Sequence, residues 1–121
     1  PEDLYADPPT AYAARFLGRA NVVRDAELAA RLAGEAMPAG HVLAVRPEGL
    51  EPVAPGTAGA VSARLVARQF LGHTAEWEVE AEGQRLHLWT EPGRAVPEAF
   101  AVRAARWRWV PDDENPGPNL R

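Results

Sequence analysis

The sequence contains no cysteine and no lysine, and its only serine is Ser62. The missing cysteine excludes disulfides, thiolate metal sites and cysteine nucleophiles. The missing lysine excludes a phosphate-loop lysine, a Schiff-base lysine and a lysine general base. The three histidines, His41, His73 and His87, lack metal-ligand spacing and have no serine or aspartate partner nearby in sequence. Composition thus offers no support for a catalytic or metal site, and we expect neither enzyme activity nor a bound cofactor in this chain.

Long apolar runs and an excess of basic charge are also missing. No stretch approaches the roughly 20 apolar residues that span a bilayer, and residues 1–5 do not resemble a basic signal sequence. The net charge of −4 argues against a general nucleic-acid binder, which needs a basic surface. The length of 121 residues allows one compact domain. Because the chain opens on proline, we expect it to be a piece of a longer protein.

Two short helices are predicted near the start of the chain. Thr10 can cap the first, over residues 11–17, with Gly18 as its stop. Asp25 can cap the second, which continues to Gly34 and carries an apolar stripe of Leu28 and Leu32.

From residue 41 onward the pattern is typical of strands. Short β-prone runs cover residues 42–46, 60–71, 75–82, 85–89 and 99–110. Four or five short strands separated by turns indicate a small barrel or sandwich. The clearest element is a hairpin with Gly83-Gln84 as its two-residue loop, which predicts that Glu82 faces Arg85 and that Val79 faces Leu88.

Two side-chain groups invite functional readings. Glu76, Glu78 and Glu80 could suggest a cation site, but successive members lie about 7 Å apart on one strand face, so we expect a solvated face with cross-strand charge pairs. Trp107 and Trp109 alternate with arginines, as in single-strand binders, but alternation separates the rings from the charges. We therefore interpret both tryptophans as core or contact residues and as a possible interface.

Four pieces of the chain, in order, resemble the region that follows the nucleotide-binding domain in importer ATPases of the ABC group for iron, polyamines, anions and sugars. They are residues 1–5 with Pro8 or Pro9, residues 14–18 with Asn21, residues 46–48, and residues 70–72. The residues that carry the motifs are Phe16, Gly18, Asn21, Arg46, Pro47, Glu48, Phe70 and Gly72. Their roles in this reading are structural.

The resemblance implies a TOBE domain, a transport-associated, mainly β barrel of the OB type with a short N-terminal linker helix and one further short helix. It implies a linker at residues 1–20, the barrel at 21–110 and a flexible tail at 111–121. Relatives commonly have a strand where residues 25–34 read as a helix here. Because of this departure, the sequence does not predict where the first barrel strands lie.

The resemblance also implies a function: a non-catalytic regulatory and dimerisation domain. Its partners would be a second ATPase subunit, membrane permease subunits through the preceding domain, and a small-molecule or protein regulator. ATP and Mg²⁺ would bind the preceding domain, at the cytoplasmic face of the membrane. Iron, polyamine or anion cargo is favoured over sugar because the chain has room for one barrel. The alternative is a free-standing OB-type module that binds single-stranded nucleic acid.

Overall fold

The computed structural model describes residues 10–17 and 19–114, which form a mainly β structure. The strands are β1 (Asn21–Val23), β2 (His41–Val45), β3 (Leu50–Val53), β4 (Val61–Phe70), β5 (Ala75–Ala81), β6 (Gln84–Thr90), β7 (Phe100–Ala104) and β8 (Arg108–Pro111). The helical elements are a π-helical turn (Ala13–Leu17), the helix α1 (Ala26–Ala33) and a 3₁₀ turn (Pro47–Gly49). The predicted class, mainly β with two short helices in its first third, is confirmed.

A three-stranded antiparallel sheet, in the order β1-β2-β8, supports the N-terminal helical segment. Residues 10–17, which we call the N-terminal segment, begin as predicted at Thr10, whose hydroxyl oxygen accepts a hydrogen bond from the Ala13 N–H at 3.2 Å. A small apolar cluster joins the segment to the sheet and consists of Ala11, Ala14, Ala20, Val42, Ala44 and Val110. The expected linker helix is therefore packed onto the domain.

The second sheet has five antiparallel strands in the order β3-β7-β4-β5-β6. It curls so far that Cα atoms of its two edge strands, β3 and β6, come within 8 Å of each other. In the described residues these edges are not hydrogen-bonded, so the sheets do not close into the barrel that we expected. The arrangement remains consistent with a small OB-like domain, which is a partly open barrel.

The main core lies on the concave side of the curled sheet. Strand β5 alternates buried and half-buried residues, as its sequence predicts, and Trp77 is fully buried. The Trp77 and Phe100 rings meet edge to face at 5.6 Å between centroids, a geometry that aromatic pairs favour.

Helix α1 covers one end of this core, and its ends are set by local chemistry. The Asp25 carboxylate accepts a hydrogen bond from the Leu28 N–H at 3.2 Å, and Gly34 ends the helix with a φ of 76°. Leu28 and Leu32 are both buried, as predicted from their spacing. The helix at residues 25–34 is confirmed, and the short strand β1 precedes it.

The hairpin of β5 and β6 is present, but its predicted register is wrong. Ala81 pairs with Gln84 and Glu80 pairs with Arg85, so the loop is Glu82-Gly83. Both loop residues have positive φ, 50° and 83°, as a type I′ turn requires, and this turn favours glycine in its second position. The shift of two residues leaves every side chain on its predicted face.

The run at residues 99–110 is also not one strand. Strand β7 belongs to the five-stranded sheet and β8 to the three-stranded sheet. The chain breaks between them where the N–H groups of Ala105 and Arg106 both donate to the Gly49 carbonyl, at 2.7 and 3.3 Å. A Cβ atom at Gly49 would lie 2.6 Å from the Arg106 carbonyl oxygen, so only glycine allows this approach.

Candidate functional site

Asn21 joins the two sheets through its side chain. Its Nδ2 donates to the Val45 and His87 carbonyl oxygens at 2.9 and 2.8 Å, and its Oδ1 accepts from the His87 N–H at 2.8 Å. The side-chain amide thus makes the pair of bonds that a neighbouring strand would make with β6. Gln84 adds a bond from Nε2 to the Val22 carbonyl oxygen at 3.0 Å. Asn21 is only 9% exposed, so its role in this structure is to hold the sheets together.

The Arg46-Pro47-Glu48 motif forms the crossover from β2 to β3, that is, from one sheet to the other. Pro47 opens the 3₁₀ turn and is buried, and the Arg46 carbonyl oxygen accepts from the Gly49 N–H at 2.8 Å. The Arg46 Nε lies 2.8 Å from Glu48 Oε2, and the Glu48 carbonyl oxygen accepts from Arg106 Nη2 at 3.3 Å. This motif therefore fixes a backbone path.

The Phe70-Leu71-Gly72 motif lies at the tip of the β4–β5 hairpin. Phe70 and Leu71 are 61% and 43% exposed, although their sequence context is that of a strand end. The turn is closed by a bond from the Leu71 N–H to the Thr74 carbonyl oxygen at 2.7 Å, and Gly72 has a φ of 87°. The Arg68 guanidinium carbon lies 5.6 Å from the Phe70 ring centroid. An exposed aromatic and an exposed leucine side by side are typical of a contact surface.

Strand β4 also has a free edge next to this tip. Strand β7 pairs with residues 61–63 only, and in the described residues no strand pairs with the outer edge of residues 64–70. A register shift between Leu65 and Ala67 marks a β-bulge in this part of the strand, and bulges are typical of sheet edges. We call residues 64–71 the hairpin arm. A free edge offers unpaired N–H and C=O groups to another strand, so the arm is the best candidate interaction surface in the described structure.

Trp107 and Trp109, the predicted interface residues, lie together and are half-buried against the main core. Their rings meet edge to face with centroids 5.5 Å apart, and Trp109 Nε1 donates to Glu35 Oε2 at 2.7 Å. A carboxylate beside the rings opposes binding of a phosphate backbone. Their use as an interface remains a prediction.

Two other motif residues lie at the edge of the described structure. Phe16 belongs to the π-helical turn, but its side chain lies outside the described part, and so does Gly18. Of the predicted tail at 111–121, residues 111–114 are described, and Pro111 pairs with His41 in the three-stranded sheet. The rest of the tail is outside the described residues.

The acidic face of β5 is paired with neighbouring side chains, as expected. Arg64 forms an ion pair with Glu80, Arg85 Nη1 lies 2.8 Å from Glu78 Oε2, and Trp89 Nε1 donates to Glu76 Oε1 at 2.9 Å. Among residues 10–17 and 19–114, no cluster of acidic and histidine side chains has the arrangement of a metal site. The same residues contain no helix that is both long and apolar enough to cross a membrane.

The resolved pKa shifts in the described residues belong to Arg15, Arg24 and Glu114, which lie together where the first and last described parts of the chain meet. A hydrogen bond from Arg15 lowers the pKa of Glu114 below its ordinary value, and Arg24 acts in the same direction. The hydrogen bond to Glu114 raises the pKa of Arg15. Burial by itself would lower the pKa of Arg24, but its bonds to Glu114 and Asp112 outweigh this effect and raise it.

Comparison with known proteins supplies the family. The family model of the TOBE domain matches residues 43–113. The Fe(3+) ions import ATP-binding protein FbpC of Brucella abortus (strain 2308) is 32% identical over 103 residues, which covers 73% of this chain and 29% of that protein. The protein of the same name from Brucella suis biovar 1 (strain 1330) gives the same figures, and FbpC 1 of Rhizobium meliloti (strain 1021) is 34% identical over the same spans. The chain thus spans about three tenths of the length of these relatives. It belongs to the TOBE domain family.

Proposed function

We propose that this chain is the non-catalytic accessory domain of an ABC-importer ATPase subunit. Family membership and the names of the relatives, which are import ATP-binding proteins, support the proposal. ATP and Mg²⁺ bind a preceding nucleotide-binding domain, which contacts the membrane permease on the cytoplasmic side. This domain regulates that ATPase in response to a small molecule or a protein. It also holds two ATPase subunits together.

The cargo that we propose is ferric iron, within the iron, polyamine and anion branches. The three relatives compared above are all named for Fe(3+) import. Cargo is recognised elsewhere in an importer, so the described residues need no iron site of their own.

The gene itself can test the ATPase assignment. Translating the reading frame upstream of Pro1 should give a nucleotide-binding domain with a Gly-x-x-x-x-Gly-Lys-Ser/Thr loop. The purified 121-residue chain should not hydrolyse ATP, as a coupled phosphate-release assay can check. A start codon directly upstream, or turnover by the chain itself, would refute the assignment.

The hairpin arm supports the proposed dimerisation, with a second copy of this chain as its occupant. The free edge of residues 64–70 can pair with the same edge of another copy in antiparallel fashion. Arg64 is already paired with Glu80, so its charge adds less to the repulsion between the two arms. Burial of Phe70 and Leu71 would add an apolar contribution at the end of such a pair.

Sedimentation equilibrium of the chain and of one double variant tests this surface. We expect Phe70→Ser with Leu71→Ser to weaken self-association by at least about tenfold, because about 1.4 kcal/mol of lost apolar burial corresponds to that factor. Tyr12→Ser is the matched control, since Tyr12 is 54% exposed and belongs to the N-terminal segment, which packs on the three-stranded sheet and not on the arm. Equal weakening by both variants would argue against the arm.

Binding to single-stranded nucleic acid, the other reading of an OB-like fold, receives no support from the site. The two tryptophans pack on each other and one of them binds a carboxylate. Absence of binding to single strands at low salt is the expected result.

A further inference from the structure

The first and last described parts of the chain are fastened to each other by side chains. The Tyr12 N–H donates to Asp113 Oδ1 at 2.9 Å, across 101 residues of sequence. Thr10 caps the Ala13 N–H of the same turn. The first turn of the N-terminal segment is therefore capped partly from within, by Thr10, and partly by Asp113.

A shared carboxylate strengthens this contact. Arg15 Nε lies 3.1 Å from both Glu114 carboxylate oxygens, and Arg15 Nη2 contacts the same group. Arg24 Nη2 donates to Glu114 Oε1 at 3.0 Å and to Asp112 Oδ1 at 2.9 Å. Two guanidinium groups thus hold two carboxylates in one network, which contributes more than an isolated surface pair. We call residues 112–114 with Tyr12, Arg15 and Arg24 the terminal clasp.

The clasp is anchored on the domain side. The Asp112 N–H donates to the Gly40 carbonyl oxygen at 2.9 Å, directly after β8. The Glu114 N–H donates to Asp112 Oδ1 at 3.2 Å, which orients the last turn. The acidic residues of the clasp are therefore held next to β8 by the backbone of the domain.

The described apolar contact beneath the clasp is made by alanine side chains of the segment. In the described residues the segment contributes Ala11 and Ala14 to the cluster with Val42, Ala44 and Val110. An alanine side chain buries little more than one methyl group, worth roughly 0.8 kcal/mol. A single helical turn is unstable by itself in water. The polar network thus adds a second set of contacts that hold the segment in place.

We propose that the terminal clasp is a releasable fastener that makes residues 10–17 a fixed part of this domain while it is closed. When the clasp opens, the described turn at residues 10–17 can separate from the three-stranded sheet while the sheet stays folded. In the full-length protein this would lengthen the connection to a preceding ATPase domain, a step that rests on the function proposed above.

Amide hydrogen exchange of the 121-residue chain, followed by NMR, tests the clasp. The variant is Asp113→Ala with Glu114→Gln, and the control is Glu98→Gln, an exposed carboxylate in the β6–β7 connection. The readouts are the Ala14 and Ala20 amides, which donate to the Thr10 and Ala14 carbonyl oxygens and not to the clasp. We expect both to exchange at least about tenfold faster in the double variant, and amides of β2 to keep their rates.

A change of salt concentration is the second part of the same experiment. About 1 M NaCl should accelerate exchange of the Ala14 and Ala20 amides in the native chain and in the control variant, because salt screens the ion pairs. The acceleration should be much smaller in the double variant, which has lost the Arg15–Glu114 and Arg24–Glu114 pairs of the clasp and keeps the Arg24–Asp112 pair. Rates within about twofold of native in the double variant, or an equal acceleration of β2, would overturn the proposal. Such a failure would leave the ATPase assignment intact, since the upstream reading frame tests that separately.

Discussion

The three-stranded sheet and the hairpin arm differ in whether their strand edges have hydrogen-bond partners. At the sheet, β1 is continued by the Asn21 side chain onto β6, and the acidic turn after β8 is bound to Arg15 and Arg24. At the arm, residues 64–70 leave one edge without a partner in the described structure, and Phe70 points into solvent. The three-stranded sheet satisfies its polar groups within the chain, whereas the hairpin arm leaves backbone N–H and C=O groups that a partner strand can bind.

Because of this difference, we expect substitutions in one region to change the stability of the fold and substitutions in the other to change association between copies. Substitutions in the joined region should lower the free energy of unfolding, because they leave buried polar groups unpaired or force backbone atoms apart. Substitutions at the arm should change association and leave the fold intact. The following variants test that division.

Among the substitutions where the two sheets join, Asn21→Ala should have the largest effect on stability. It removes three hydrogen bonds and leaves the His87 N–H and carbonyl groups without their partner, at a cost of about 3 kcal/mol. Urea denaturation followed by tryptophan fluorescence measures the change. Gln69→Ala, an exposed amide on the arm, is the matched control and should change stability by less than about 0.5 kcal/mol. Equal costs for the two variants would contradict the division.

Gly49→Ala should cost about 2 kcal/mol, because its Cβ would overlap the Arg106 carbonyl oxygen and disturb the break between β7 and β8. Gly93→Ala is the control, since no atom lies within 4 Å of a Cβ at that position. The same denaturation experiment compares them. A Gly49→Ala chain as stable as Gly93→Ala would show that the crossover is not tightly packed.

Acid should open the clasp before it affects the arm. The pKa of Glu114 is lowered in the folded chain, so its contribution is fully present above its unfolded pKa, near 4.5, and is lost as pH falls through the lower folded value. Arg15, Arg24 and Asp112 are the charged groups that face it. Exchange of the Ala14 amide should accelerate below pH 4.5 in the native chain, beyond the intrinsic pH dependence. Glu114→Gln should lack this step.

Phe70→Ala should have the smallest effect on stability, less than about 0.5 kcal/mol, since its ring is mostly in water. Phe100→Ala, in the core against Trp77, should cost about 3 to 5 kcal/mol in the same assay. A large loss at Phe70 would mean that the tip packs on its own chain.

Local patterns in the sequence predicted the elements whose causes are local. Asp25 and Gly34 mark the ends of α1, and the alternation around Trp77 marks the buried face of β5. Features that depend on distant residues were missed or mistaken. The break within residues 99–110 is caused by Gly49, and the partner of Asn21 is the His87 backbone, 66 residues away.

The candidate surface was harder to predict than the fold. Phe70 and Leu71 have the composition of core residues, and their exposure depends on where β7 stops pairing with β4. The predicted register of the β5–β6 hairpin was wrong because Gly83 can occupy either of the two central positions of a tight turn. Polar bonds from Gln84 to Val22 and from Asn21 to His87 favour the observed register.

The most direct test of the account uses the absence of cysteine, which makes any introduced cysteine unique. Ala67→Cys and Gln69→Cys place a thiol on the arm, and Ala58→Cys, in an exposed turn, is the control. Antiparallel pairing of two arms brings opposite Cα atoms to the roughly 4.4 to 6.8 Å that a disulfide needs. Under mild oxidation the account predicts disulfide-linked dimers from at least one arm variant and monomers from Ala58→Cys. Monomers from both arm variants, or equal crosslinking at Ala58, would contradict it.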